Sequence, residues 1–348
     1  MMPYGFLHLT GGKQMKIEVH AASAAYPIYM ERGIFNHAKE YIGREGHVFI
    51  VSDDGVPKQY QNILHQQYPE AGMYVFENGE PHKNFDTLQE ILKAMQEAHL
   101  SRKDTVIALG GGVVGDMAGF AAAIYMRGIH YINIPTTTLS QIDSSIGGKT
   151  AIDFNGVKNC VGAFLQPDMV LVDPDLLSTL TPRHFHNGLA EAVKEGLIAD
   201  AQLFELFETD EWKDHLDEII ARCLMIKKNI VEHDEKETGE RKLLNFGHSY
   251  GHAFESSFGM NGYYHGECVG LGMLAVMENP QLIERTEKVL KRLSLPTECQ
   301  YDPEEIISLM KSDKKSNHDT ITIVQVDEIG HGYLQEWTYE KAGKKIGL

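Results

Sequence analysis

The stretch Thr105-Val106-Ile107-Ala108-Leu109 shows no polar alternation and runs straight into Gly110-Gly111-Gly112. A strand of that pattern is covered on both faces, as in a parallel sheet, and glycine at its end passes the chain directly to a helix. Val48-Phe49-Ile50-Val51, Met73-Tyr74-Val75-Phe76, Tyr131-Ile132-Asn133-Ile134 and Met169-Val170-Leu171-Val172 repeat the apolar run, and Lys16-Ile17-Glu18-Val19 reads as an earlier strand. Leu88, Ile91, Leu92 and Met95 recur at helical spacing between two of these runs. Strand, crossover helix and strand in repetition predict an α/β N-terminal domain with a Rossmann-like parallel sheet. After Asp173-Pro174 the pattern changes. From about Pro182 to Met277 the periodicity is helical, as in Ile219, Ile220, Cys223, Leu224, Ile226, Ile230 and Val231, and Thr320–Gln325 reads as one arm of a hairpin turning at Gly330-His331-Gly332. The expected organisation is residues 1–14 as a leader or non-native extension, 15–174 as the α/β domain and 175–348 as a mostly α-helical domain, with Met15 as the expected native start.

A chain of 348 residues suits two domains. Its net charge of −17 speaks against a nucleic-acid-binding face but leaves room for a local cationic cluster around an anionic small molecule. Cys160, Cys223, Cys268 and Cys299 form no CxxC pair, which points away from a cysteine-type zinc site and toward a reducing, cytoplasmic setting. No apolar run approaches the roughly 20 residues that cross a membrane.

Gly110, Gly112 and Gly115 fit GxGxxG between a strand and a helix, where backbone N–H groups and the helix dipole receive a phosphate. Position 130, where the usual ribose-binding acid falls, is His, and the motif lies in the third strand–helix unit rather than the first; Asp53 and Asp54, after an earlier strand, offer a substitute. The alternative is a glycine turn that serves packing alone. Asn78-Gly79-Glu80-Pro81-His82-Lys83 has the turn chemistry for another cofactor contact. Thr136-Thr137, Asp143, Lys149 and Lys158-Asn159 follow strand ends, where ligands of parallel sheets bind; the lysines read either as an anion site or as solvated loop charges.

His248 and His252 lie four apart, on one face of a helix, and His265 follows in Tyr264-His265-Gly266-Glu267. Histidines in such spacing suit a divalent metal, and a catalytic zinc takes three protein ligands with one position open. Glu191, three residues before Lys194, is either the exposed half of an ion pair or a third ligand beside two of the histidines. Arg241 and Asn245 share the side of His248 if its helix extends back that far, and with Lys227 and Lys314 or Lys315 they suggest a polyanion pocket.

These motifs resemble the 3-dehydroquinate synthase family of sugar-phosphate cyclases. The resemblance runs from about Met15 to the last hairpin and rests on GGGVVGDMAGFAAA, RGIHYINIPTTTLSQIDSSIGGKTAID, GVKNCVGAF, GLAEAVKEG, DEKETGERKLLNFGHSYGHAFE, HGE and SDKK, in that order. It departs from the family at Ala192, at Phe164-Leu165 and in a shortened Met277–Pro280 stretch, none of them at an expected site residue. It implies Glu191, His248 and His265 as the ligands of zinc or cobalt, with His252 outside the metal and free to contact substrate or relay a proton. It implies NAD contacts at Asp53, Asn78, Gly79, Glu80, Lys83, Gly112, Val113, Val114, Gly115, Asp116, Thr136, Thr137, Lys149, Lys158, Leu176, Leu177, Ser178 and Thr179. Around the substrate it implies Asp143, Lys149, Lys158, Asn159, Lys194, Lys227, Arg241, Asn245, His252, His265 and Lys314, with Lys149, Lys194, Lys227, Arg241, Asn245 and His252 taking part in catalysis. The implied reaction turns 3-deoxy-D-arabino-heptulosonate 7-phosphate into 3-dehydroquinate and phosphate in the shikimate pathway, and the implied assembly is a homodimer. The competing readings are a cyclase for another sugar phosphate, a metal-dependent polyol dehydrogenase that accumulates NADH, and a regulator without turnover.

Overall fold

The computed structural model describes residues 14–43, 46–259, 262–312 and 319–348; the expected leader falls almost wholly outside them, as do Lys314 and Lys315. The chain divides into two compact units, one of residues up to Leu180 together with Lys227–Glu235, the other of Thr181–Ile226 and Lys236–Leu348.

The first unit contains, in order, β1 (Met15–His20), β2 (Ala25–Met30), α1 (Ala38–Ile42), β3 (Val48–Asp53), α2 (Lys58–Gln67), β4 (Gly72–Phe76), α3 (Phe85–Glu97), β5 (Thr105–Gly110), α4 (Gly112–Ile124), β6 (His130–Pro135), β7 (Lys149–Phe154), β8 (Val157–Phe164) and β9 (Met169–Val172). Seven strands form one sheet in the order β1-β2-β9-β6-β5-β3-β4, parallel except where β1 pairs β2. Both faces of β5 are buried. Val106 and Ala108 pack with Phe49, Leu88, Ile91 and Met117, while Ile107 and Leu109 pack with Ile50, Leu64, Ile132 and Ile134. The lack of polar alternation in the sequence is therefore the signature of a central strand.

The chain runs from β3 to β4 on one side, then crosses back so that β5 lies on the other side of β3. That reversal opens a crevice at the carboxyl ends of β3 and β5, where nucleotides bind in open parallel sheets. The glycine motif thus sits in the third strand–helix unit because the sheet reverses there. Lys149 and Lys158, for which an anion site and solvated loop charges were alternatives, stand on the β7–β8 hairpin, with Phe154 facing Val157 across Asn155-Gly156. Asn155 (φ 51°) and Gly156 (φ 76°) both take left-handed backbone, the requirement of a two-residue hairpin turn.

The second unit comprises α5 (Pro182–Ala199), α6 (Ala201–Leu206), most of α7 (Leu216–His233), α8 (His248–Phe258), α9 (His265–Val276), α10 (Pro280–Arg292), α11 (Pro303–Ser312), a hairpin of β10 (Thr320–Glu328) and β11 (His331–Thr338), and α12 (Tyr339–Lys345). Helix α5 starts where Thr181 accepts the His184 N–H and Pro182 occupies the first turn. Helix α9 is capped by the Glu267 carboxylate, which accepts the Tyr264 N–H at 2.8 Å and is gripped by Arg183 from α5 through two 2.7 Å bonds. The Glu267 N–H in turn donates to Asn187 of α5 at 3.2 Å. These contacts fix the first turn of α9 against α5.

Candidate active site and its relatives

In the first unit Asp53, the Asn78-Gly79 turn and the start of α4 lie at or just after the carboxyl ends of β3, β4 and β5, the strands about the reversal of the sheet. Asp53 closes β3, and its carboxylate accepts the N–H groups of Gly55 and Val56, each at 3.1 Å, while burial pushes its pKa up. Asp54 holds Asn78 through a backbone bond of 2.8 Å and a side-chain bond of 2.6 Å, which brings the Asn78-Gly79 turn beside β3. Gly112, Val113, Val114, Gly115 and Asp116 form the first turns of α4. Lys83 is buried; its ammonium lies 2.6 Å from Asp116, 2.5 Å from the Asn159 side-chain oxygen and 3.8 Å from Glu80. Burial raises both Asp116 and Glu80 despite Lys83, with Lys158 acting on Glu80 and Lys227 on Asp116, and Lys83 itself is raised because Asp116, Glu80 and Asp153 outweigh its burial.

Thr136 and Thr137 follow β6, where the Thr137 and Ser140 hydroxyls pair at 2.8 Å. Asp143 lies in a single π-helical turn, Ser140–Ser144, and pairs with Lys227 at 2.7 Å. Such turns occur often at functional positions. Lys149 opens β7, and Lys158 and Asn159 lie exposed on β8. Leu176, Leu177, Ser178 and Thr179 form a 3-10 turn; both leucines are buried, and both hydroxyls bond within the turn.

In the second unit three elements supply Glu191, His248 and His265. Glu191 sits in mid-α5, His248 begins α8 and His265 begins α9. One ligand atom from each lies within 4.8 Å of the others. Glu191 Oε1 faces the Nε2 atoms of His265 at 3.3 Å and His248 at 3.6 Å, with no donor aligned on it in a hydrogen bond. Two donors sharing a zinc at bonds of about 2.0–2.1 Å and a tetrahedral angle stand about 3.3–3.4 Å apart. The acid and two imidazoles therefore fit a divalent cation in type, number and spacing.

The surroundings prepare these groups. Glu191 is also paired with Lys194, and both side chains are only 1% exposed, so this is not an exposed ion pair. Burial would raise the Glu191 pKa, but Lys194, then His248 and His265, hold it well below the usual carboxylate range. Burial drives His248 down to about 3, so its ring is neutral at any ordinary pH. Burial acts the same way on His265, but Glu191 and Glu255 outweigh it and hold the ring at about 10. His265 Nδ1 lies 3.3 Å from Glu255, and His248 Nδ1 lies 3.1 Å from the Phe246 carbonyl. The exposed His252 ring stands 5.3 Å from the His248 ring and 5.9 Å from that of His265.

The helix of His248 does not extend back to Arg241 and Asn245. They belong to a separate 3-10 turn, Glu240–Asn245, which the extended Phe246 and the left-handed Gly247 (φ 78°) break from α8. Arg241 is buried, and Asn245 donates to Glu237 at 2.5 Å. Glu237 and Glu255 escaped the sequence reading. Glu255 follows His248 by seven, a two-turn spacing that places it on the same face. Glu237 takes left-handed backbone (φ 60°), which no sequence pattern announces.

An open parallel sheet with a glycine turn at its reversal, followed by a helical unit that gathers a carboxylate and two imidazoles, is the dehydroquinate synthase-like class of fold. The chain superposes on 2-deoxy-scyllo-inosose synthase complexed with carbaglucose-6-phosphate, NAD+ and Co2+ at a TM-score of 0.86 and 23% identity, over 95% of this chain and 98% of that one. It superposes on 2-epi-5-epi-valiolone synthase from Streptomyces hygroscopicus subsp. jinggangensis 5008, with NAD+ and Zn2+ bound, at 0.83 and 25% identity, over 93% of this chain and 96% of that one. The 3-dehydroquinate synthase N-terminal profile matches residues 73–187 and the C-terminal profile residues 188–316. The 3-dehydroquinate synthase of Clostridium acetobutylicum (strain ATCC 824) is 40% identical over 342 residues, 92% of this chain and 96% of that protein. The chain belongs to the 3-dehydroquinate synthase family.

Proposed function

We infer that this chain converts 3-deoxy-D-arabino-heptulosonate 7-phosphate to 3-dehydroquinate and inorganic phosphate, as a metal-dependent carbon–oxygen lyase with NAD as a recycled cofactor. The observation that carries the reading is the convergence of Glu191, His248 and His265 at donor spacings suited to zinc or cobalt, in a chain 40% identical to a 3-dehydroquinate synthase. The substrate is transiently oxidised, loses phosphate, is reduced again, opens its ring and closes by an intramolecular aldol step.

Glu191, His248 and His265 would hold the metal, which when bound supplies Lewis acidity toward a substrate hydroxyl and carbonyl. Residues Asp53, Asn78, Gly79, Glu80, Lys83, Gly112 to Asp116, Thr136, Thr137 and Leu176 to Thr179 would hold NAD, which when bound supplies a reversible hydride acceptor. The N–H groups opening α4 receive pyrophosphate, and the buried Lys83 orders Asp116 and Asn159 beside it. Lys149, Lys158 and Asn159 engage the phosphate or carboxylate of the substrate, as does Arg241. Lys194 keeps Glu191 ionised. Lys227 orients Asp143, and Glu237 orients Asn245. His252, exposed beside the two ligand imidazoles, moves a proton to or from the substrate. Lys314 adds a cation to the same substrate. On this reading residues 15–174 carry most of the NAD contacts, residues 175–348 carry the metal ligands, and the working form is a cytoplasmic homodimer.

The test is phosphate release from the heptulosonate phosphate with NAD+ and zinc. Activity should vanish on chelation and return with zinc or cobalt, with no net NADH. Full activity in verified metal-free enzyme refutes the metal dependence. NADH accumulating in step with turnover favours a polyol dehydrogenase instead.

A further inference from the structure

We propose that Glu255 is the positioning residue that turns His265 toward the metal: it accepts a hydrogen bond from Nδ1 and leaves Nε2 as the only ligand atom. The inference rests on the metal reading above. Three observations carry it.

An imidazole has two nitrogens, and which one binds a cation is set by what the other does. The two nitrogens of His265 have different carboxylates. Nε2 is 3.3 Å from Glu191 Oε1, the atom that also faces His248; Nδ1 is 3.3 Å from Glu255 Oε2, on the far side of the ring. A carboxylate at Nδ1 can only accept, so it keeps a proton there and leaves Nε2, the nitrogen facing Glu191, as the one that gives up its proton to a cation. His248 has the same arrangement by other means, since the Phe246 carbonyl is 3.1 Å from its Nδ1 and can also only accept. Both imidazoles are thus oriented through Nδ1 and converge through Nε2. Finally, Glu255 stands on α8, two turns after His248, whereas His265 begins α9. One face of α8 supplies a ligand and also the group that aims the ligand of the neighbouring helix. A carboxylate behind a metal-bound imidazole fixes its orientation and raises its basicity, and removing one lowers metal affinity by about 10–100-fold.

The experiment measures zinc affinity of the full chain by competition with a chromophoric chelator, for wild type, Glu255→Gln and Glu255→Leu, with thermal melts of the metal-free proteins. Gln keeps a neutral acceptor of the same reach, and Leu keeps bulk without one. The expected result is a loss of about 10–100-fold for Glu255→Leu and most of the affinity retained in Glu255→Gln. Nitrogen-resolved NMR of the zinc-loaded wild type should show the His265 proton on Nδ1. Affinity unchanged in Glu255→Leu, an equal loss in both variants, or a His265 proton on Nε2 overturns the proposal. If Glu255→Leu does not fold, the Gln variant and the tautomer decide. A wild type that binds no zinc defeats the metal reading itself, which separates that failure from this one.

Discussion

Gly272→Ala on α9 tests whether helix spacing sets the metal site. A Cβ at Gly272 would stand 1.9 Å from the carbonyl oxygen of Gly247 and 2.8 Å from the Gly251 nitrogen. Both are backbone atoms of the first turn of α8, and Gly247 directly precedes His248. Reaching even a tight 3.0 Å contact needs α8 to retreat by about 1.1 Å. The part of that retreat along the line to Glu191 adds to the 3.6 Å separation of His248 Nε2 and Glu191 Oε1, up to about 4.7 Å if all of it lies there. Two donors sharing an ion with bonds of about 2.1 Å lie at most about 4.2 Å apart, so a retreat mainly along that line breaks the three-ligand set. Overpacking costs about 1–3 kcal/mol, and alanine recovers up to about 1 kcal/mol of helix propensity, so the fold should persist with a modest fall in Tm. Zinc affinity should fall by at least the roughly 10–100-fold that loss of an outer-shell partner costs, read in a chelator competition. Gly270→Ala is the control, because its Cβ meets only Leu290 at 3.4 Å. Zinc bound within about threefold of wild type by a folded Gly272→Ala protein would refute the reasoning.

Other expectations concern charge and the separate histidines. Lys83→Ala removes the buried ammonium beside Asp116 and Glu80 and should cost up to about 3 kcal/mol in denaturant unfolding, the low end for a broken buried pair because the two carboxylates keep some contact with water, with weaker NAD binding by fluorescence titration; unchanged stability would refute the pairing. Without metal, His265 keeps its proton up to about pH 10, so zinc must expel it; affinity should rise with pH by up to about tenfold per unit, and calorimetry at pH 8 in several buffers should count roughly one proton released per zinc. That proton also stabilises the metal-free fold below the unfolded pKa near 6.5, a contribution lost as pH rises through about 10. His248→Ala should lose zinc by metal analysis, whereas His252→Ala should keep it and turn over more slowly; equal metal loss in both would reject the division of roles.

Much of this molecule was legible as sequence because its signals are local. The unbroken apolar run into Gly110 identified a doubly covered strand, since a central parallel strand has no wet face. Asn155-Gly156 is equally local, a two-residue hairpin turn, yet the lysines around it read first as charge, and no strand was expected at β7 or β8. The break at Phe246-Gly247 lies in backbone torsions, so periodicity counted back from His248 could not detect it. Glu237 owes its place to a left-handed conformation. Glu255 owes its part to the start of another helix, a tertiary fact that helical spacing on α8 can hint at but not supply.

The two imidazoles proposed as ligands differ in what secures them. The acceptor behind His248 is a main-chain oxygen, which every amino acid at position 246 would still provide. The acceptor behind His265 is the side chain of Glu255, which a single codon change can delete. Drift in a lineage should therefore be tolerated at 246, within the limits of packing, and penalised at 255. A decaying copy of this enzyme would first loosen its cation on the α9 side.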